Sequence, residues 1–219
     1  MGLQLYAHPF SSYSQKALIA LYENHKTFEY RPLDKADPDT MATFKRVWPL
    51  ERFPILIDDG HTVIEAGIII EYLDFHHPGP VRLIPDDPCA ALAVRTMDRF
   101  FDNYVSTPLK KIVIDSIRPA GSGDPYGDDE AHRMLETSYR WLEERMAERT
   151  WAAGETFSLA DCAAAPSLFY ADWTHRIDAS FVHLHAYRSR LLARSSFARA
   201  VEEARPSRHD FPLGAPDRD

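Results

Sequence analysis

Two short stretches of this 219-residue chain carry residue types and spacings suited to chemistry. The first is Arg52-Phe53-Pro54, followed by Ile55-Leu56-Ile57, the turn sequence Asp58-Asp59-Gly60, and then Val63-Ile64-Glu65-Ala66. Proline has no N–H for a sheet ladder, so Pro54 belongs at the mouth of a strand. Held there, above all in the cis form, it leaves the backbone of Phe53 free to pair with something else. A helix beginning just after Glu65 aims unpaired N–H groups at any nearby anion. Together these features describe a shelf for a small peptide-like ligand with a free amine and a free carboxylate. The second stretch, Ser11-Ser12-Tyr13-Ser14, places hydroxyls where a helix is expected to start. Serine there either caps the helix or serves a ligand.

The elements that must position these groups follow from periodicity. Leu3-Gln4-Leu5-Tyr6 alternates and reads as a strand; His8-Pro9-Phe10 breaks it, and a helix is expected from about Ser14 with Ala17, Leu18, Leu21 and Tyr22 on one face. Thr27 to Arg31 reads as a second strand, and a short helix near Asp39 to Val47 leads to Trp48-Pro49. Two strands flank Asp58-Asp59-Gly60, a hairpin signal. Ala66 to Phe75 reads as a third helix, with Ile69, Ile70 and Leu73 at helical spacing. A β-α-β half and a β-β-α half, joined through the short helix (βαβ-α-ββα), form a thioredoxin-like arrangement. The proline-rich run from His77 to Pro88 is the best boundary in the chain. Beyond it everything reads as helix: Cys89 to Ile117, Asp129 to Arg149, a helix from Cys162, and two more near Phe181 to Leu192 and Ser196 to Ala204. Ser158 and Asp161, three residues apart, form a capping-box signal, with Phe157 and Cys162 as its hydrophobic staple. The expected organisation is an α/β domain over 1–77, a linker over 78–87, an all-α domain over 88–205, and a loose tail over 206–219.

Composition narrows the function classes. A net charge of −8, from 33 acidic and 25 basic residues, argues against a general nucleic-acid binder, which would show a basic face. No apolar run approaches the ~18 residues of a membrane span, and the N-terminus lacks the charged region of a signal peptide. A cytoplasmic protein is expected. Cys89 and Cys162 have no metal-like or redox-like spacing and read as ordinary buried thiols. His183, His185 and the other late histidines show no ligand spacing, and no metal is expected.

On three features, in this order and at these separations, residues 1 to about 205 resemble the cytosolic glutathione transferase superfamily, in its serine-motif, zeta/theta-like branch. These are Ser11-Ser12-Tyr13-Ser14; Val47-Trp48-Pro49-Leu50-Glu51-Arg52-Phe53-Pro54, similar to the family's Asn-Pro-x-Gly-Lys-Val-Pro segment; and the capping box Ser158-Leu159-Ala160-Asp161. The resemblance implies that Pro54 is the family's cis-proline and that Phe53 offers its backbone to the cysteinyl unit of glutathione. It implies that Glu65 holds the γ-glutamyl ammonium through a charge-assisted hydrogen bond, and that Arg52 stands near the glycyl end. Ala66 departs from the family's serine, leaving only its backbone N–H for the γ-glutamyl carboxylate.

By the same resemblance Ser11 is the expected catalytic residue, with Ser12 beside it and Tyr6, at the end of the first strand, as competitor. The serine donates a hydrogen bond to the glutathione sulfur and favours the thiolate, which is the nucleophile. Serine also stands at both cysteine positions of the glutaredoxin motif, so thiol–disulfide exchange is disfavoured. An electrophile site is expected around Phe10, Tyr13, Asn103, Tyr104 and Thr107, with Arg99, Asp98 and Asp102 nearby. Asp161 is expected to be structural. The implied function is a homodimeric, detoxifying glutathione transferase that takes glutathione as co-substrate and conjugates it to a small hydrophobic electrophile. A maleylacetoacetate isomerase-like enzyme and a non-catalytic glutathione-binding or ligand-binding member of the fold are the alternatives.

Overall fold

The computed structural model describes residues 2–219. Its first half is built on a four-stranded sheet of β1 (Leu3–Ala7), β2 (Phe28–Pro32), β3 (Ile55–Asp58) and β4 (His61–Ile64), in the order β2-β1-β3-β4. The β1 strand runs parallel to β2 and antiparallel to β3, and β3 pairs antiparallel with β4. The β3–β4 turn is Asp59-Gly60, with φ of 46° and 90°; two positive φ values are what a two-residue hairpin demands, and glycine accepts the larger at no steric cost.

Strand alternation divides the core. Leu3, Leu5 and Ala7 face α1 (Ser12–Glu23) and α3 (Ala66–His76), packing with Ala17, Leu18, Leu21, Ile69 and Leu73. Tyr6 faces the other way and packs with Ile55 and with Phe44 of α2 (Pro38–Val47).

The second half is helical: α4 (Pro88–Phe100), a π-helical segment (Phe101–Ser106), α5 (Thr107–Ser116), α6 (Pro125–Met146), α7 (Leu159–Thr174), α8 (Val182–Leu192), α9 (Ser195–Ala204) and a 3₁₀ segment (Arg205–Asp210). As its small, apolar sequence implies, α7 runs through the centre, buried from Leu159 to Asp172. Ile19, Ala20 and Ile70 belong to this second core, so α1 and α3 are packed on both sides. The proline-rich connection is stitched down rather than loose: Asp74 Oδ1 accepts the Leu83 N–H at 3.1 Å, Asn24 Oδ1 accepts the Val81 N–H at 2.8 Å, and the Leu83 carbonyl accepts the Leu159 N–H at 3.0 Å.

Four sequence expectations are corrected. The helix read over Cys89 to Ile117 contains a π-helical segment. Pro108 has no N–H for the Tyr104 carbonyl, which instead accepts the Ser138 hydroxyl at 2.9 Å, and the Thr107 N–H reaches back to the Asp102 carbonyl. The next helix begins at Pro125, four residues before Asp129, because Asp124 caps it: Asp124 Oδ1 accepts the Gly127 N–H at 2.9 Å, and proline is at home in a first helical turn. Cys162 is buried as expected, but Cys89 is exposed at the start of α4. The tail is held in place: Arg205 and Arg208 pair with Asp219, Arg218 pairs with Asp172, and Phe211 is buried.

Asp161 does more than cap α7. Its Oδ2 accepts the Ser158 N–H at 2.9 Å and the Ser158 hydroxyl at 3.1 Å; its Oδ1 accepts the Ala152 N–H at 2.9 Å and the Tyr187 hydroxyl at 2.6 Å. Burial pushes this carboxyl up, and the four hydrogen bonds pull it back down.

Candidate active-site cleft

One cleft of about 610 Å³ opens between the sheet half and the helical half. Its floor starts at the β1–α1 turn. Ser11 is the N-cap of α1, in extended backbone, with its Oγ accepting the Ser14 N–H at 3.3 Å and its own N–H donating to the His8 carbonyl at 3.1 Å. The Phe10 N–H donates to His8 Nδ1 at 3.2 Å. These local bonds fix the turn, so Phe10, Ser11, Ser12 and Tyr13 all line the cleft at a helix N-terminus, where the first N–H groups lack intrahelical acceptors. Accepting from Ser14 leaves the Ser11 hydroxyl hydrogen free to donate outward.

The second side of the floor is the segment before β3. The Phe53–Pro54 peptide is cis. The β3 ladders to β1 and β4 both begin at Ile55, so the backbone of Phe53 lies outside them. Arg52, Phe53, Pro54 and Trp48 line the cleft here.

The third contribution comes from the start of α3. Glu65 is its N-cap residue, at φ 69°, with no side-chain capping bond. A non-glycine residue in this region costs on the order of 1–3 kcal/mol and persists where its surroundings over-determine it. Here it turns the Glu65 carboxylate into the cleft beside Ala66.

Between these sides, Tyr13 stands among carboxylates. Burial, together with Asp102, Glu65 and Asp98, pushes its phenol up to about 12, so it stays an O–H donor at any ordinary pH. Behind it lies a buried ionic cluster: Lys16 Nζ of α1 sits 2.6 Å from Asp98 Oδ1 and 2.8 Å from Asp102 Oδ2, with Arg99 Nη1 at 3.7 Å from Asp98 and 3.6 Å from Asp102. Burial holds the Asp98 carboxyl above the usual range while Lys16 pulls it down. Lys16 thereby ties the sheet half to the helix that carries Asp102 and Asn103 into the cleft.

The remaining wall is apolar. Leu109 and Val113 of α5, Tyr170 of α7 and Phe211 of the tail surround Phe10, whose ring lies 5.2 Å from Tyr170 and 6.2 Å from Phe211.

Of the thirteen residues given a site role from sequence, ten meet in this cleft, Phe10, Ser11, Ser12, Tyr13, Arg52, Phe53, Pro54, Glu65, Ala66 and Asn103, and Arg99 and Asp102, expected nearby, line it with them. Three do not. Tyr6 is turned to the α2 side of the sheet by strand alternation, so its hydroxyl is not at the cleft. Tyr104 is exposed and its ring lies tilted against Phe100 at 5.6 Å, which in turn packs on Trp141 of α6. Thr107 spends its hydroxyl on the Asp102 carbonyl, at 2.9 Å, closing the wide π turn. Sequence reasoning passed over Lys16, Ser106, Lys110, Tyr170 and Phe211. Ser106 and Lys110 continue the helical spacing from Asn103, which was a usable signal; Tyr170 and Phe211 reach the cleft by tertiary packing alone. Among the described residues, no group of three or more His, Cys, Asp or Glu could hold a metal ion, and no helix is long and apolar enough to cross a membrane.

Residues 5–81 match the family model described as glutathione S-transferase, N-terminal domain, and residues 129–190 match that of glutathione S-transferase, C-terminal domain. A probable maleylacetoacetate isomerase of Vibrio cholerae is 28% identical over 217 residues, covering 94% of this chain and 98% of that protein. Glutathione S-transferase U25 of Arabidopsis thaliana is 27% identical over 203 residues, covering 89% of this chain and 86% of its own length. Among solved structures, a glutathione S-transferase from Methylobacillus flagellatus with glutathione bound superposes with a TM-score of 0.81 at 27% identity, covering 91% of this chain and 98% of that one. With a thioredoxin-like sheet domain, an all-helical domain and the cleft between them, the chain belongs to the glutathione S-transferase superfamily.

Proposed function

We propose that this protein is a glutathione transferase that binds glutathione on the sheet side of the cleft and an electrophile against the helical wall. The carrying observation is the convergence on one cleft of three peptide-reading features: the α1 N-terminus with Ser11 and Ser12, the ladder-free backbone of Phe53 at the cis peptide, and the inward-turned Glu65. In this reading the Phe53 backbone holds the cysteinyl unit, Glu65 takes the γ-glutamyl ammonium, the Ala66 N–H takes the γ-glutamyl carboxylate, and Arg52 stands at the glycyl carboxylate. The likeness to a Methylobacillus structure with glutathione bound supports glutathione as the ligand.

The chemistry follows from where the sulfur would lie. A free thiol has a pKa of about 8.5, and a donated hydrogen bond plus a helix N-terminus lowers it. The Ser11 hydroxyl supplies the bond and α1 the field, with Ser12 as the second hydroxyl. The thiolate attacks an electrophilic carbon; a leaving group departs with its electron pair, or an added-to double bond takes up a proton. Tyr13 and Asn103 border the electrophile site.

A second reading, glutathione-dependent isomerisation by reversible addition, is favoured by the near full-length match to a probable maleylacetoacetate isomerase and by the paired serines. A non-catalytic binding role is the reading that Ala66 favours, since one hydroxyl donor to glutathione is missing. A homodimer, glutathione transferase activity in the cytoplasm and the domain limits 1–77 and 88–205 complete the proposal.

The test is a glutathione titration followed by thiolate ultraviolet absorbance across pH. Saturable thiolate growth below the free thiol's pKa, reduced by Ser11→Ala, supports the transferase. Saturation without that signal indicates a binding protein, and no saturation removes glutathione as the ligand.

A further inference from the structure

Resting on the transferase reading, the charge pattern of the cleft indicates which electrophiles it takes. Lys110 projects from α5 between Leu109 and Val113, in the apolar strip that lines the electrophile side. Its neighbour Lys111 pairs with Glu130 at 2.9 Å, Lys16 is held by Asp98 and Asp102, and Lys45 pairs with Glu51 at 3.3 Å. Lys110 and Arg52 have no carboxylate partner among the described residues, yet both line this cleft. Burial and the nearby Arg52 cation together lower the Lys110 ammonium's pKa. Glu51, Glu65, Asp102 and Asp210 share the lining, but Glu51 pairs with Lys45 and Asp102 with Lys16, and none of the four forms an ion pair with Lys110 or Arg52. The two cations repel each other, and an anion placed with them relieves the repulsion.

Glutathione accounts for only one of the two. Its γ-glutamyl end, ammonium and carboxylate together, meets Glu65 and Ala66, and its glycyl carboxylate meets Arg52. One cation is left over, on the helical side, among aromatic and aliphatic side chains. We propose that Lys110 is a specificity residue that pairs with a carboxylate on the electrophile, so that the protein prefers ring-sized apolar electrophiles bearing an acidic group. During transfer Lys110 keeps its proton and only orients the substrate. With an isothiocyanate, the sulfur–carbon bond forms, the C=N pair moves to nitrogen, and nitrogen takes a proton from solvent.

The experiment compares benzyl isothiocyanate with 4-carboxybenzyl isothiocyanate, which share one reacting carbon, in the full-length protein and its Lys110→Met and Lys110→Arg variants. The expected result is a kcat/KM ratio, carboxylated over neutral, that falls about tenfold in Lys110→Met, the scale of one lost hydrogen bond to a charged group. Lys110→Arg restores most of the ratio, and added salt lowers it in the wild type more than in Lys110→Met. A ratio indifferent to Lys110→Met overturns the inference and leaves the transferase reading standing. So does a rise in the KM for glutathione with no change in the ratio, which assigns Lys110 to the glycyl carboxylate. Failure of the wild type to turn over either compound overturns the transferase reading and this inference with it.

Discussion

In the proposed mechanism Ser11 carries two duties in one side chain. Its oxygen caps α1 by accepting from Ser14, and its hydrogen is free for the sulfur. The two duties separate by substitution. Ser11→Ala is expected to lower kcat/KM roughly a hundredfold, the scale of removing one donor from an anionic centre, and to cost about 1 kcal/mol of stability. Ser11→Gly is expected to cost only a few tenths of a kcal/mol, since glycine is tolerated at an N-cap, yet to lose the same activity. Equal activity in Ser11→Gly and wild type would return Ser11 to a purely structural role and leave Ser12 as the remaining hydroxyl. Tyr13 gives a pH prediction. Its phenol is raised from 10.0 to about 12 in the folded protein. Its neutral form is therefore favoured by folding: the contribution is complete below pH 10 and is lost as pH climbs through 12. Urea unfolding between pH 9 and 12 is expected to show declining stability, with a shallower decline in Tyr13→Phe.

At the scale of elements, the helix carrying Asp98 to Val113 decides what enters the cleft. Pro108 removes one N–H, the wide turn before it closes through Thr107 onto Asp102, and Lys16 clamps the carboxylates on its inner face. Lys16→Met leaves the buried Asp98 and the partly buried Asp102 with Arg99 as their one cation within ion-pair distance among the described residues. Breaking a buried pair from one side costs about 3–5 kcal/mol, and a comparable drop in unfolding free energy is expected by chemical denaturation. Asp161 plays the matching role in the helical core. Replacing it with alanine strands the buried Ala152 and Ser158 N–H groups and the Tyr187 hydroxyl, at about 1–3 kcal/mol each. A loss of about 3 kcal/mol or more is expected, well beyond the ~1 kcal/mol of a simple cap.

For the whole molecule, the outer faces of α3 and α4 are the expected seat of the proposed homodimer contact. Glu71 of α3 and Arg95 of α4 pair at 2.7 Å, bridging the two helices. Ile68 and Phe75, one turn either way from Glu71, and Leu92, one turn from Arg95, are exposed around that pair; Phe75 is 80% exposed. Exposed apolar groups gathered on one face mark an association surface. Phe75→Glu is expected to convert a dimer to a monomer in light scattering, while a wild-type monomer would remove the homodimer from the proposal. The ordered tail belongs to this scale too: it carries Phe211 to the cleft, folded on itself by Arg205 and Arg208 to Asp219 and tied to α7 by Arg218 to Asp172 and to α8 by Arg188 to the Asp219 main-chain oxygen.

What the residues determined by themselves was local. Alternation in Leu3-Gln4-Leu5-Tyr6, the Asp59-Gly60 turn, the proline at the mouth of β3 and the Ser158–Asp161 cap each act over a few residues, so strand, hairpin, cis-proline shelf and helix start were legible, and with them the fold and most of the sheet-side lining of the cleft. The helical wall of the cleft was not, because it is made by contacts between distant segments. Which face of β1 Tyr6 occupies depends on which helix packs there. Where Tyr104 and Thr107 point depends on a π turn set by Pro108 and by Ser138 of α6, 34 residues from Tyr104. That Lys16 is buried, that Phe211 closes the wall, and that Lys110 shares a cleft with Arg52 are facts of tertiary packing. Short-range sterics and hydrogen bonds are encoded in neighbouring residues, whereas the charge balance of a cleft exists only once separate elements have been brought together.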